Sequence, residues 1–416
     1  MSKTTLKVWM ISTFNNNDFP TFLKICREIQ EDLGIDIDTK LISWNRAYDS
    51  LIQAFKDEKP PDVFVLGSTW VYTFSRLGYL APVPHDLGIP PSIASWMDEC
   101  ATYSGVRYAV PWTINPLVLS TRKSYLEKYQ IAPSDMSDWQ SFYQVCSKIS
   151  EEEKKASSNR IPFVFPVKPD LNTLHIYVTF MYKMGWNFPE LTTGNKHIFD
   201  HRVFVEVFDY ITRLMNLSSV KTTDDLHVLS RMLYDKFYYD GDCAFYIDSG
   251  NPVIAEMVSL LLQDKKYEGP FTLLPIPQNG LSARGYAGGG LFVVSSSCKE
   301  QELAWEVVKH FTSDGAVDSY TASRGNLPAF QCSFWEKYSD EPLIKMLYDE
   351  VKNSTSYPFH PLWRNIELII ANGIYNFFWQ LNHSSQTNSQ SEIKRIVDEM
   401  NATIYDLMQI IWENKK

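Results

Sequence analysis

A chain of 416 residues is longer than one hydrophobic core usually supports, so two lobes separated by a groove are expected. Its composition, 44% hydrophobic and 21% charged with 12 Trp, 23 Tyr and 24 Phe, is that of a folded chain and excludes wholesale disorder. A net charge of -10, with no cationic run beyond Lys154-Lys155 and Lys265-Lys266, excludes nucleic acid as an expected partner. No stretch reaches the roughly 20 apolar residues of a membrane-spanning helix.

In chain order, residues 6–12 (LKVWMIS) read as a strand, followed by the turn-forming Asn15-Asn16-Asn17-Asp18. Residues 22–33 carry Phe22, Ile25, Cys26, Ile29 and Leu33 at helical spacing, and Gly34 ends that helix. Ile35, Ile37, Thr39 and Leu41 then alternate with charged residues, the period of a half-buried strand. Trp44 opens a second helix, which stops at Pro60-Pro61, and residues 62–66 (DVFVL) form a buried strand. The first part is therefore β-α-β-α-β. Gly67-Ser68-Thr69-Trp70 follows that third strand, at the carboxyl edge where open α/β sheets bind ligands.

Further on, residues 117–120 read as a strand, 138–149 as an amphipathic helix, and 151–160 as a charged surface loop. Helices are expected over 203–214 and 226–237, a strand over 241–247, another over 291–295, and a helix over 299–311. The last hundred residues read as helical, with a polar loop at 384–391 and a final amphipathic helix over 392–412. The six cysteines stand far apart with no metal-ligand spacing and read as mostly buried thiols. No G-x-S-x-G, H-E-x-x-H or phosphate-binding glycine pattern occurs, so neither a catalytic residue, a metal nor a cofactor is expected.

The order of these segments resembles the family 1 extracellular solute-binding proteins, the maltose-binding-like group. The residues that carry the resemblance run from LKVWM, Gly34, Trp44 and Pro61-Asp62-Val63 to Gly78-Tyr79-Leu80-Ala81-Pro82. They continue through Tyr108-Ala109-Val110-Pro111-Trp112, where Ala109 replaces the family's usual Gly, and Ser137 to Ser141, which keeps only Trp139. Gly241-Asp242-Cys243-Ala244-Phe245, the strand from Gly289, the helix from Ala304 and Gly325-Asn326-Leu327-Pro328 complete the series.

The resemblance implies an α/β chain of the type II periplasmic-binding fold, two α/β lobes with a hinge and a central ligand cleft. It places residues 1–110 plus 285–327 in an N-terminal lobe and 111–284 plus 328–416 in a C-terminal lobe. It also implies a monomer that binds a small solute, a sugar above all, by hinge closure and delivers it to the permease subunits of an ABC importer. A sugar offers flat C–H faces and a rim of hydroxyls, which call for aromatic platforms and directed polar groups. The expected platforms are Trp44, Trp70, Trp112 and Trp363. The expected polar contacts are Asn15, Asn16, Ser68, Thr69, Asp248, Ser249, Asn251 and Arg364, with Gly289 letting backbone approach the ligand. The N-terminal residues lack the series of an export signal, which leaves two locations open. One is extracytoplasmic, with a signal removed. The other is cytoplasmic with Met1 as the native start, where the same fold would serve a ligand-sensing or regulatory protein.

Overall fold

A computed structural model describes residues 3–12, 19–165, 171–191, 195–218, 234–280, 282, 284–383 and 389–413. Twelve strands are found among them. Those of the first part are β1 (Thr5–Ser12), β2 (Asp36–Ser43), β3 (Val63–Gly67), β4 (Thr102–Tyr103), β5 (Val106–Arg107) and β6 (Val110–Pro116). They are followed by β7 (Val118–Arg122), β8 (Ile161–Phe163), β9 (Cys243–Asp248), β10 (Phe271–Leu274), β11 (Ala287–Val294) and β12 (Leu327–Pro328).

The chain divides into two compact units. The first comprises Met1–Pro116, Asn251–Gly269 and Ala287–Pro361. Its six-stranded sheet has the order β12-β6-β11-β3-β1-β2. β1 runs parallel to β2 and β3, while β11 is antiparallel to β3 and β6. β3, apolar along most of its length, is buried at every residue and sits inside the sheet, whereas β2 occupies the edge with Asp36, Asp38 and Lys40 exposed. The helix Phe19–Leu33 buries Phe22, Ile25, Cys26 and Ile29, and ends at Gly34, whose φ of 67° only glycine adopts at no steric cost. The helix Trp44–Lys56 starts at the expected tryptophan and buries Ala47, Leu51 and Ala54.

The second unit comprises Leu117–Gly250, Pro270–Tyr286 and Leu362–Lys416. Its four-stranded sheet has the order β10-β7-β9-β8. β7 is antiparallel to both β10 and β9, and β8 is parallel to β9. The helices Trp139–Lys155, Leu171–Lys183, His201–Leu217, Trp363–His383 and Ser389–Glu413 belong to it. Asp138 caps the first of these, its side chain accepting from the Ser141 amide at 2.8 Å.

Three details differ from the sequence reading. The division of the chain lies after Pro116 rather than after residue 110, and residues 251–269 and 328–361 fall in the first unit. The reason is contacts between remote segments: Ala287 N donates to Thr355 O at 3.1 Å, and the Trp96 indole donates to Ser354 at 3.1 Å. The expected charged loop after residue 149 is instead helix as far as Lys155. Glu153 within it is 2% exposed and accepts from Lys128 and from the Tyr129 hydroxyl, so a residue that looks solvated in the sequence is satisfied inside the unit. Finally, the helix expected over 226–237 begins outside the described residues, and its end is a π-helical turn, Lys236–Asp240, closed by Gly241 at φ 72°.

Candidate functional site

The carboxyl ends of the parallel strands in the first unit gather several of the expected residues. β2 runs directly into Trp44, and β3 into Ser68, Thr69 and Trp70. The indoles of Trp44 and Trp70 meet edge to face, with centroids 5.5 Å apart. Gly67 lies beneath them, where a Cβ would stand 3.3 Å from Trp44 and 3.5 Å from Trp70. Tyr48, one turn into the Trp44 helix, packs edge-on against Trp70 at 5.4 Å and against Phe74 at 5.8 Å. Trp70 is 3% exposed, Ser68 and Thr69 are buried, and Trp44 keeps part of its surface open. Trp44, like Tyr48, is only partly buried, so these two rings of the group keep exposed surface.

Gly289, on the neighbouring strand β11, accepts a hydrogen bond from the Ser68 amide at 3.1 Å. A Cβ on Gly289 would stand 2.3 Å from the Thr113 carbonyl oxygen, so the glycine serves the close approach of β6 and β11, next to the register shift at Gly290. That close approach, rather than ligand access, is what the structure requires of it. Asn15 and Asn16 lie outside the described residues.

In the second unit the end of β9 carries Asp248. Its Oδ1 accepts from Ser120 Oγ at 3.0 Å and from the Gly250 amide at 2.8 Å, and its Oδ2 accepts from the Tyr238 hydroxyl at 2.7 Å. Burial pushes this carboxyl above the usual carboxylate range, against the three hydrogen bonds that favour its charged form. The same burial, with the carboxylate alongside, raises the Tyr238 phenol well above its ordinary value. Asp248 thus fixes the turn at Gly250, whose φ is 64°. Ser249 sits half-buried on that turn, and Asn251 opens the next helix as part of the first unit. The expected single polar loop is therefore two structures.

Two further expectations are corrected, those for Trp112 and Trp363. Trp112 is 3% exposed and lies among Tyr320 at 4.4 Å, Phe292 at 4.5 Å and Phe311 at 6.4 Å, which leaves no face for stacking. Trp363 is 1% exposed, meets Phe188 edge-on at 5.0 Å, and donates its indole N–H to Glu367 Oε1 at 2.8 Å. Arg364 pairs with the same buried carboxylate at 3.6 Å. Trp112 and Trp363 build the cores of their units, while Arg364 keeps part of its side chain exposed. Sequence reasoning also missed Tyr48, Ser120 and Tyr238. The signal for Ser120 and Tyr238 was an acidic residue at a strand end, which needs donors when buried.

The architecture is shared with solved structures. The GacH receptor of Streptomyces glaucescens, determined unliganded and with acarbose, is 17% identical with a TM-score of 0.77, over 98% of this chain and 99% of that one. The sugar-binding protein MalE from the phytopathogen Xanthomonas citri is 18% identical with a TM-score of 0.74, over 99% of both chains. At these identities the likeness is one of fold. Among curated proteins, the diacetylchitobiose binding protein DasA of Streptomyces coelicolor is 26% identical over 125 residues, which is 30% of this chain and 29% of that relative's length. Residues 15–318 match the model of the bacterial extracellular solute-binding protein family, and with that the chain belongs to this family.

Proposed function

We propose that the protein binds a carbohydrate reversibly, without a chemical step, outside the cytoplasm, and delivers it to the permease subunits of an ABC importer. The observation that carries this reading is the half-open Trp44 indole, backed by Trp70 and Tyr48 at the carboxyl edge of β2 and β3. A partly exposed indole suits the C–H face of a pyranose. Membership of the solute-binding family supports reversible binding over catalysis. The relatives support the ligand class: one is named for diacetylchitobiose, and one was solved with acarbose. Closure of the two units on the ligand belongs to the same proposal, since a ligand that prefers one arrangement shifts the population toward it.

The test is calorimetric titration of the full chain with neutral mono- and oligosaccharides, amino acids and polyols, repeated on Trp44→Ala. Saturable binding of one sugar class, weakened about tenfold or more by the substitution (about 1.4 kcal/mol), supports the reading. Binding of amino acids alone, or sugar binding indifferent to Trp44→Ala, overturns it.

A further inference from the structure

Three amide side chains of the first unit meet near the places where the chain leaves it and returns. Asn115 precedes Pro116, the last residue of the first stretch, and Asn251 is the first residue of the second. Asn326 lies between the helix Asp314–Arg324 and β12. A single atom, Asn326 Oδ1, accepts from Asn251 Nδ2 at 2.7 Å and from Asn115 Nδ2 at 3.2 Å. The Oδ1 atoms of Asn115 and Asn251 are buried and accept no hydrogen bond among the described residues. Buried acceptors without donors cost free energy, so a packing that keeps two of them is held by something else.

The backbone around Asn326 shows what holds it. Gly325 has a φ of 75°, and a Cβ there would lie 2.0 Å from the Asn251 carbonyl oxygen, a distance only a hydrogen permits. On the other side, Leu327 and Pro328 pair with Ile114 and Thr113, which fixes Asn326 beside the end of β6. Asn326 is thus seated by its chain neighbours against both segments and bonded to each by its side chain.

We propose that Asn326 is a positioning residue that ties the end of the first stretch, at Asn115, to the start of the second, at Asn251, so that the two shift together. An amide oxygen with two lone pairs is suited to receive two side-chain donors at once. A tie of this kind would make these two ends of the first unit's chain respond as one to a ligand. That last link rests on the carbohydrate-binding proposal, whereas the tie itself does not.

The experiment is amide hydrogen exchange on the ligand-free full chain, comparing Asn326→Leu with Asn326→Asp. The leucine variant loses both hydrogen bonds and should raise exchange at residues 113–115 and 253–256 by about tenfold or more, with β1, β2 and β3 unchanged. Aspartate still accepts from both asparagines and should exchange like the parent chain. No local rise in the leucine variant, a rise spread evenly over the first unit, or an aspartate variant that behaves like leucine would overturn the tie. Titration with the bound sugar then reads the second link: affinity should fall about tenfold in the leucine variant and hold in the aspartate variant. If the parent chain binds no sugar, the carbohydrate reading fails while the exchange result still decides the tie. If it binds sugar and the leucine variant binds equally well, the link to the ligand is overturned.

Discussion

The strand ends of the two units use their residues in opposite ways. In the first unit, the ends of β2 and β3 carry indoles set edge to face over a glycine, with Trp44 still part open. In the second, the end of β9 carries a carboxylate that accepts hydrogen bonds from Ser120, Tyr238 and the Gly250 amide of its own unit. An aromatic ring can support a core with one face and leave the other free. A carboxylate at a partly buried strand end must first be satisfied by its own unit, and its chemistry is then spent. The comparison teaches that a polar residue at the right place in a fold is a weaker sign of ligand contact than a ring with an uncovered face.

The largest effect should come from Trp112→Ala, which empties a site closed by three aromatic neighbours and should cost about 3–5 kcal/mol in thermal or denaturant unfolding. Set against it, Trp44→Ala should cost about 1–2 kcal/mol while removing most of the ligand affinity. If the two substitutions cost alike, the distinction between core ring and open ring breaks. Gly325→Ala comes next, with a positive φ and a backbone oxygen 2.0 Å from the new methyl; about 2–4 kcal/mol of destabilisation is expected from the same unfolding assay.

Acid tests the second unit by a different route, because Glu153 and His175, two buried groups whose protonation opposes folding, belong to it. Glu153 is buried, which would raise its pKa, but hydrogen bonds from Lys128, Ser158 and Tyr129 prevail and lower it to about 2. Its folded value lies below its unfolded one, so its contribution is present above about pH 4.5 and is lost as the pH falls toward 2. His175, stacked on Tyr286 at 4.2 Å, is lowered by burial to about 3, so its neutral form supports the fold above about pH 6.5 and the support drains away between 6.5 and 3. The unfolding midpoint should therefore decline first below about pH 6.5 and again below about 4.5. His175→Phe should flatten the upper limb and Glu153→Gln the lower one, and a profile unchanged by either would sink the assignment. The smallest effect is expected from Asp248→Asn, about 0.5–1 kcal/mol, since the amide still accepts two of the three hydrogen bonds but turns a donor toward the third.

Much of the fold was legible. The strand-helix-strand order of the first sixty residues follows from periodicity, and Gly34 and Trp44 mark helix ends where the structure has them. Of the candidate site, the place of Ser68 to Trp70 after a buried strand was legible, but not that all three are buried while Trp44 and Tyr48 stay partly exposed. The burial of Trp363 was not legible because the buried Glu367 that engages it and Arg364, one helical turn on, looks in the sequence like any exposed carboxylate. Glu153 was misread for the same reason. The π-helical turn that aims Tyr238 at Asp248, and leaves Tyr239 67% exposed, has no periodic signature.

The sequence by itself determined the elements, their order and the sheet edge at which residues gather, because hydrophobic period, chain breakers and helix caps act over a few neighbouring residues. The tertiary structure decided which rings are covered, which charges are satisfied and where one unit ends. Trp112 is closed by residues from positions 292 to 320, and Ala287 is bonded to Thr355, contacts that exist only once distant segments have been packed together. Burial is a property of the partner as much as of the residue, and the partner is named nowhere in the local pattern.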